Sequence, residues 1–189
     1  MRIIAGSHRG RKLLERQAQG IRPMRAQVRA ALFNILDQRL PGSRFLDLFA
    51  GTGSVGLEAL SRGVTQAVFI DWSPEAVRLI TDNLRALELD GRARVYHQEA
   101  LATLAQLEAQ HEQFDLIFIG PPYGKNLAHR ALGALGESAL LRRGGLVIVE
   151  IFKKEELQEQ YGQLQRIELR RYGDNLLVFY DRSASEEKG

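Results

Sequence analysis

The stretch Phe45-Leu46-Asp47-Leu48-Phe49-Ala50-Gly51-Thr52-Gly53-Ser54-Val55-Gly56 runs from an apolar strand through a tight glycine turn into a helix. Phe45–Phe49 is short and almost wholly apolar, as expected of a strand covered on both faces. Gly51 to Gly56 then fit G-x-G-x-x-G, in which glycine lets the backbone turn sharply and approach a ligand closely. An acid, Asp71, ends the next strand candidate, where a ribose diol would be held. The pattern alone leaves open a nicotinamide dinucleotide, S-adenosylmethionine, or a glycine turn with no ligand.

Downstream, strand and helix patterns alternate. The strand candidates are Phe45–Phe49, Ala67–Ile70, Ala93–Tyr96, Phe114–Ile119 and Leu146–Ile151. Pro74 sits at the first-turn position of a helix, and Val77, Ile80, Leu84 and Leu87 are expected on its buried side. Such alternation predicts an α/β, Rossmann-like, doubly wound and mostly parallel sheet. Leu164–Arg171 and Leu176–Tyr180 flank Gly173-Asp174, which predicts an antiparallel C-terminal edge hairpin. Upstream, Ile3-Ile4 and Leu13-Leu14 flank a glycine-rich turn and read as a short β-hairpin. A helix follows from about Arg25, with Val28, Leu32, Ile35 and Leu36 at helical spacing. Arg25 and Arg29, four apart, are expected on a face away from that apolar stripe. The organisation read from the chain is an extension over 1–43, a main domain over 44–182 and a tail over 183–189 that frays.

In doubly wound sheets, ligands sit beyond the carboxyl ends of the strands. The cofactor candidates are therefore Asp47, Ala50, Gly51, Thr52, Gly53, Asp71, Trp72, Glu99 and Ala100. Asp47, embedded among apolar neighbours, would repel a pyrophosphate but suits a cationic cofactor with an amino group and a sulfonium. This favours S-adenosylmethionine. Its bland counterpart is a core aspartate that caps loop amides, which is compatible with the same role. Glu99 could accept from an adenine amine, with Ala100 beside the ring, or be a solvated acid at a helix start. Trp72 could pack on ribose or adenine, or be half-buried without a ligand.

Across the sheet, Phe114–Ile119 exits into Gly120-Pro121-Pro122-Tyr123. The two prolines fix two φ angles and remove two N–H donors, so carbonyls stand as acceptors in a stiff turn. With the Tyr123 ring beside them, these four residues suit a planar base that bears an amine. A structural strand exit with a buried Tyr is the alternative.

The bulk numbers narrow the class. The chain has 189 residues, 44% hydrophobic and 26% charged, with no apolar run near membrane-span length. No cysteine is present, which removes disulfides, thiolate metal sites and cysteine nucleophiles. His8, His97, His111 and His129 are scattered and form no metal set. A cytoplasmic monomer without secretion signal, membrane contact or metal is expected. The net charge of +3 conceals ten Arg or Lys against two acids in residues 1–44. Such a basic end suits a polyanion, or is a solvated basic face.

Asp47-Leu48-Phe49-Ala50-Gly51-Thr52-Gly53 together with Pro121-Pro122-Tyr123 resembles methyltransferases that act on amino groups and carry an Asp/Asn-Pro-Pro-Tyr/Phe motif. Further blocks are similar to one family. They are Arg2-Ile3-Ile4-Ala5-Gly6, Arg9-Gly10-Arg11-Lys12-Leu13, Arg22-Pro23, Val28-Arg29, Leu32-Phe33-Asn34, Gly56-Leu57-Glu58-Ala59-Leu60-Ser61-Arg62-Gly63 and Arg171-Tyr172-Gly173-Asp174. Together they resemble the bacterial small-subunit ribosomal RNA guanine-N2 methyltransferase family, RsmD, over nearly the whole chain.

The resemblance implies a class I methyltransferase fold, S-adenosylmethionine as methyl donor, and one guanine of 16S ribosomal RNA in an assembling small subunit as substrate. It also implies that Arg9, Arg11, Lys12, Arg22, Arg25 and Arg29 grip RNA phosphates. The chain departs from the family at Gly120, where Asp or Asn is usual, at Met24 for Thr, and at Glu99 for a shorter Asp or Asn. Gly120 predicts activity below the family norm unless another group substitutes. An adenine methyltransferase, a nicotinamide-dependent dehydrogenase and a non-catalytic assembly factor remain open as alternatives.

Overall fold

A computed structural model describes residues 1–15, 24–122, 124 and 126–182. Arg22 and Tyr123, and the tail over 183–189, lie outside the described residues.

The strands are β1 (Arg44–Leu48), β2 (Gln66–Asp71), β3 (Ala93–His97), β4 (Phe114–Ile119), β5 (Leu141–Phe152), β6 (Gln160–Tyr161), β7 (Leu164–Tyr172) and β8 (Asn175–Arg182). They form one sheet in the order β3-β2-β1-β4-β5-β8-β7-β6. The pairings of β1 with β2 and β4, of β2 with β3 and of β4 with β5 are parallel. Those of β5 with β8, β8 with β7 and β7 with β6 are antiparallel. From β1 the chain winds outward to β3, then returns to lay β4 on the other side of β1. The carboxyl ends of β1 and β4 therefore flank the crevice where such sheets bind ligands.

The helices are α1 (Ala26–Leu36), α2 (Ser54–Ser61), α3 (Pro74–Ala86), α4 (Ala100–Ala109) and α5 (Leu127–Gly136). Strand residues alternate between two apolar layers. Phe45, Phe69, Phe118 and Ile148 join one layer with Leu32 and Phe33 of α1, Leu57 of α2 and Ile80 of α3. Leu46, Ile70, Ile117 and Val149 face Leu104 of α4 and Leu132 of α5 in the other. Ser73 accepts from Ala76 N at 3.2 Å and Pro74 occupies the first turn, so α3 starts where the sequence predicts. Its buried face is Ala76, Leu79, Ile80, Asn83 and Leu84, while Val77 is only half-buried.

The parallel core and edge hairpin match the sequence expectation. Three details differ. β5 begins at Leu141, earlier than its apolar run, and a register shift between Phe114 and Leu116 accommodates the added length. β6 is two residues long and too short for a pattern. The N-terminal hairpin is reduced to a single antiparallel bridge, Arg2 with Lys12, flanked by Ile3 N to Arg11 O and Leu13 N to Met1 O. Ile3 and Leu13 nonetheless bury in the same layer as α1, so the basic extension shares the core of the sheet. Among the described residues no helix is long and apolar enough to cross a membrane.

Candidate active site

The glycine loop is held by two carboxylates. Asp47, one residue before the end of β1, is 1% exposed, and its Oδ2 accepts from Gly56 N in the first turn of α2 at 2.9 Å. Asp71, at the end of β2, accepts from Gly51 N at 2.8 Å through Oδ2 and from Ser73 N at 2.9 Å through Oδ1. Two strands that are far apart in sequence therefore set one turn. Gly53 has φ +71°, and a β-carbon there would stand 2.7 Å from Ile80 Cγ1, so the position requires glycine. Phe49, a non-glycine residue, also has a left-handed φ of 65°, which concentrates backbone strain at the entry to the turn.

Burial pushes the Asp47 carboxyl up to about 8, with the nearby Asp71 adding to the rise and the Gly56 hydrogen bond opposing it. Burial thus makes the charged form of Asp47 costly. A cation placed above it would relieve that cost, whereas a pyrophosphate would increase it.

The rim residues divide. Trp72 follows Asp71 and is 69% exposed, so a large apolar face stands open at the carboxyl end of β2. Its carbonyl lies 3.0 Å from His97 Nε2. Glu99 caps α4, accepting from Ala102 N at 2.9 Å, which is the helix-start alternative. Ala100 is buried behind it.

The exit of β4 reaches the same crevice. Gly120 N donates to Leu48 O at 3.3 Å, so the Pro-Pro turn begins directly beside the glycine loop. Pro121 is buried and Pro122 exposed. Gly120 adopts no left-handed φ, and a β-carbon there would stand 2.9 Å from Phe118 Cε1. The aromatic ring fills the side of Gly120 on which a longer residue would project.

One neighbour is not evident from the sequence pattern. The last register pair of β4 with β5 is Ile119 with Val149, and one further step sets Gly120 beside Glu150. Glu150 is 8% exposed and accepts from Asn175 Nδ2 of β8, itself 5% exposed. Its signal in the chain is a lone acid inside Leu146-Val147-Ile148-Val149-Glu150-Ile151, at the carboxyl end of an otherwise apolar strand.

The basic extension is fastened to the helices that follow the glycine loop and Asp71. Glu58 of α2, fully buried, accepts from Ile4 N at 2.8 Å and Ala5 N at 3.0 Å, and from Arg62 Nε at 2.8 Å. Ser61 Oγ donates to Ala5 O at 2.7 Å, and Gly6 passes so close to the Ser61 carbonyl that a side chain has no room. Asn83 of α3 accepts from Leu14 N at 2.7 Å. Glu58, Ser61 and Asn83 thus explain why the α2 block and the N-terminal block occur together.

Arg9, Lys12 and Arg25 are exposed, as a phosphate grip requires; Arg11 is exposed too, with one guanidinium nitrogen donating to Ala86 O at 2.9 Å. Arg25 contributes to the lowered carboxyl of Asp174, whose backbone accepts from Lys153 N just past β5. It therefore stands at the same end of the sheet as Gly120. Arg29 corrects the sequence expectation. It is 2% exposed and faces the core, where its guanidinium donates to Arg2 O at 2.7 Å and touches Met1 Sδ. Val28 and Arg29 share the buried side of α1 because the extension supplies a carbonyl for the charge. Among the described residues no group of acids and histidines could hold a metal ion.

Comparison with known proteins bears on this geometry. The model of the family described as "Conserved hypothetical protein 95" matches residues 1–181. A Haemophilus influenzae protein named "Ribosomal RNA small subunit methyltransferase D" is 38% identical, covering 83% of this chain and 81% of the relative. Its Escherichia coli namesake is 36% identical over 79% of this chain and 74% of the relative. The solved structure of a hypothetical protein from Thermus thermophilus superposes with a TM-score of 0.83 at 38% identity, covering 96% of this chain and 99% of that one.

Proposed function

This chain belongs to the ribosomal RNA small subunit methyltransferase D family, and we propose that it transfers a methyl group from S-adenosylmethionine to the exocyclic N2 amine of a guanine in small-subunit ribosomal RNA. The observation that carries this reading is the meeting of two parts at one sheet end, the loop held by Asp47 and Asp71 and the Pro121-Pro122 exit bonded to β1, with Arg25 of the basic extension at that same end.

The residues fit the proposed donor. The donor's positive charge would favour the ionised form of Asp47 beneath the loop, the glycine loop gives close backbone approach, and Trp72 offers an apolar face for its base or sugar. When bound, S-adenosylmethionine supplies an electrophilic methyl group and a thioether leaving group. The chain's own part is to place and polarise the amine. A guanine amine is a weak nucleophile because its lone pair is delocalised into the ring. Acceptors at the Gly120-Pro121-Pro122 turn hold its N–H groups and stabilise the charge that develops on nitrogen. Alignment over the loop contributes much of the remaining rate. Tyr123 is proposed to stack on the base, and Arg9, Arg11, Lys12 and Arg25 to hold flanking phosphates.

The test is methyl transfer by the purified protein to small subunits from cells that lack the modification, with calorimetry against S-adenosylmethionine and NAD in parallel. Binding of the former alone and label on guanine N2 support the proposal. Label on adenine, binding of NAD, or cofactor binding without transfer to any ribosomal substrate would replace it with the corresponding alternative.

A further inference from the structure

We infer that a cleft at the amino end of the sheet, flanked by Arg39 and Arg143, holds a backbone phosphate of the same RNA whose target base is presented at the carboxyl end. The inference rests on the reading of the chain as a ribosomal RNA methyltransferase.

The cleft is made by an irregularity of the sheet. Between the Phe114–Leu141 and Leu116–Leu146 pairs, β4 advances two residues while β5 advances five. The excess length is pushed out as Arg142-Arg143-Gly144-Gly145. Gly144 turns this bulge, with φ +76° and open space around it. Gly145 returns it to the sheet, where a β-carbon would stand 2.7 Å from the Asp115 carbonyl oxygen, so no larger residue fits. Facing the bulge is Pro41-Gly42-Ser43, the turn that leads from α1 into β1. Together they bound a cleft of about 310 Å³.

Charge in the cleft is one-sided. Three arginines line it against one acid, Asp115. That acid is engaged, since its two oxygens accept from Arg142 Nη1 at 3.1 Å each and Oδ2 accepts from Arg44 N at 2.8 Å. Arg142 is thereby fixed and neutralised. Arg39 and Arg143 are exposed and keep their charge. Arg39 reaches across to the bulge, where Nη1 donates to Gly144 O at 3.0 Å, and its guanidinium has further N–H groups to offer. Arg143 makes no hydrogen bond or ion pair with the described residues. Two uncompensated guanidinium groups at one cleft suit an oxyanion, and their forked donors match phosphate geometry.

The place of the cleft selects a long ligand. Arg25 caps the start of α1, at the sheet end that holds Gly120, and Arg39 closes the short 3-10 turn that follows α1 at the other end. Roughly 20 Å of helix separates them. Gln27, Ala31, Asn34 and Gln38 lie between, at the spacing of one helix face. Gln27, Asn34 and Gln38 are exposed and none of the four is charged. Asp37, the acid of this stretch, lies 3.9 Å from Arg62 Nη1. An RNA strand can therefore run along α1 with a phosphate held at each end, whereas a free phosphate or nucleotide would occupy one end alone. Contacts of this kind fix register and leave the reading of the base to the crevice.

The experiment measures binding of deproteinised small-subunit ribosomal RNA, and steady-state transfer to undermodified small subunits, for the parent, Arg39→Gln, Arg143→Gln and the double variant. Arg130→Gln, an exposed position on α5 in the other layer, is the control for loss of one surface charge. The double variant is expected to bind RNA about tenfold more weakly, and its slope of log affinity against log salt to fall by about 1.4–1.8. KM for small subunits rises while kcat holds, because the lost contact is the same in ground and transition states. Affinity for S-adenosylmethionine and the melting temperature stay at the parental values. Should Arg39→Gln loosen the fold, Arg143→Gln alone carries the test, with half the change in slope as the supporting result. RNA affinity and salt slope equal to the parent's, or an equal change per charge in Arg130→Gln, overturns the inference alone. So does weaker binding of intact subunits with unchanged binding of deproteinised RNA, which would assign the cleft to an acidic protein surface. A parent that neither binds nor methylates ribosomal RNA overturns the function it rests on as well.

Discussion

Asp71, the last residue of β2, accepts a hydrogen bond from Gly51 N, the first glycine of the loop after β1, at 2.8 Å. The same carboxylate holds Ser73 N, which opens α3. The residue proposed to meet a ribose is thus a strut of the turn. Asp71→Ala is expected to weaken S-adenosylmethionine binding at least tenfold and to lower the melting temperature, because two buried-side amides lose their acceptor at about 1–3 kcal/mol each. Calorimetry and thermal denaturation read the two effects. Unchanged affinity would remove Asp71 from the cofactor site.

Asp47 makes stability depend on pH. Its carboxyl is raised from 3.8 to about 8, so the fold favours the protonated form more than the unfolded chain does. The resulting stability is fully present below about pH 4 and is lost as pH rises towards 8. Asp47→Asn abolishes that dependence. The ligand-free variant is expected to melt above the parent at pH 8, with the gap closing towards pH 4, and to bind the cationic cofactor more weakly. A gap that stays constant with pH would show that Asp47 is ionised in the folded protein.

Glu58 tests the junction between extension and cofactor helix. It is fully buried and accepts from two backbone amides and Arg62. Glu58→Ala is expected to destabilise the protein by about 3–5 kcal/mol, the usual effect of stripping one partner from a buried charge network. Denaturant titration measures it, and a change under about 1 kcal/mol would mean that the extension is held by Ile3 and Leu13 alone.

The arginines separate by burial. Arg9→Glu with Arg25→Glu is expected to leave the melting temperature near the parental value and to weaken RNA binding. The slope of log affinity against log salt should fall by about 0.7–0.9 for each phosphate that is no longer neutralised. Arg29→Glu is expected to act in reverse, unfolding the junction with Arg2 and Met1. RNA affinity indifferent to the first pair, in a folded protein, would refute docking through the extension.

The contrast between Arg25 and Arg29 shows what is legible in the chain. The strand runs, the glycine loop and Pro74 declare their elements because local chemistry forces them. Asp71 stands out for the same reason, as an acid at a strand end before a helix, and its bonds to Gly51 N and Ser73 N are what that place allows. Arg29 is misplaced by periodicity because its burial depends on a carbonyl of Arg2, a partner 27 residues away that helical spacing does not register. Glu150 is invisible to local pattern because its meaning depends on strand order, which puts β5 beside β4 and Asn175 across from it on β8. Glu99 caps α4 through Oε2, a role that its place at a helix start announces, while its proposed contact with an adenine amine depends on a ligand that local pattern does not register.

At the centre stands the claim that the crevice between β1 and β4 methylates a guanine amine in small-subunit ribosomal RNA. The most direct measurement is mass mapping of that RNA from cells with the gene, without it, and without it but supplied with Tyr123→Ala. One N2-methylguanine is expected to disappear with the gene and not to be restored by the variant. An unchanged set of methylated nucleotides on deletion, or loss of a methylated adenine instead, would contradict the claim.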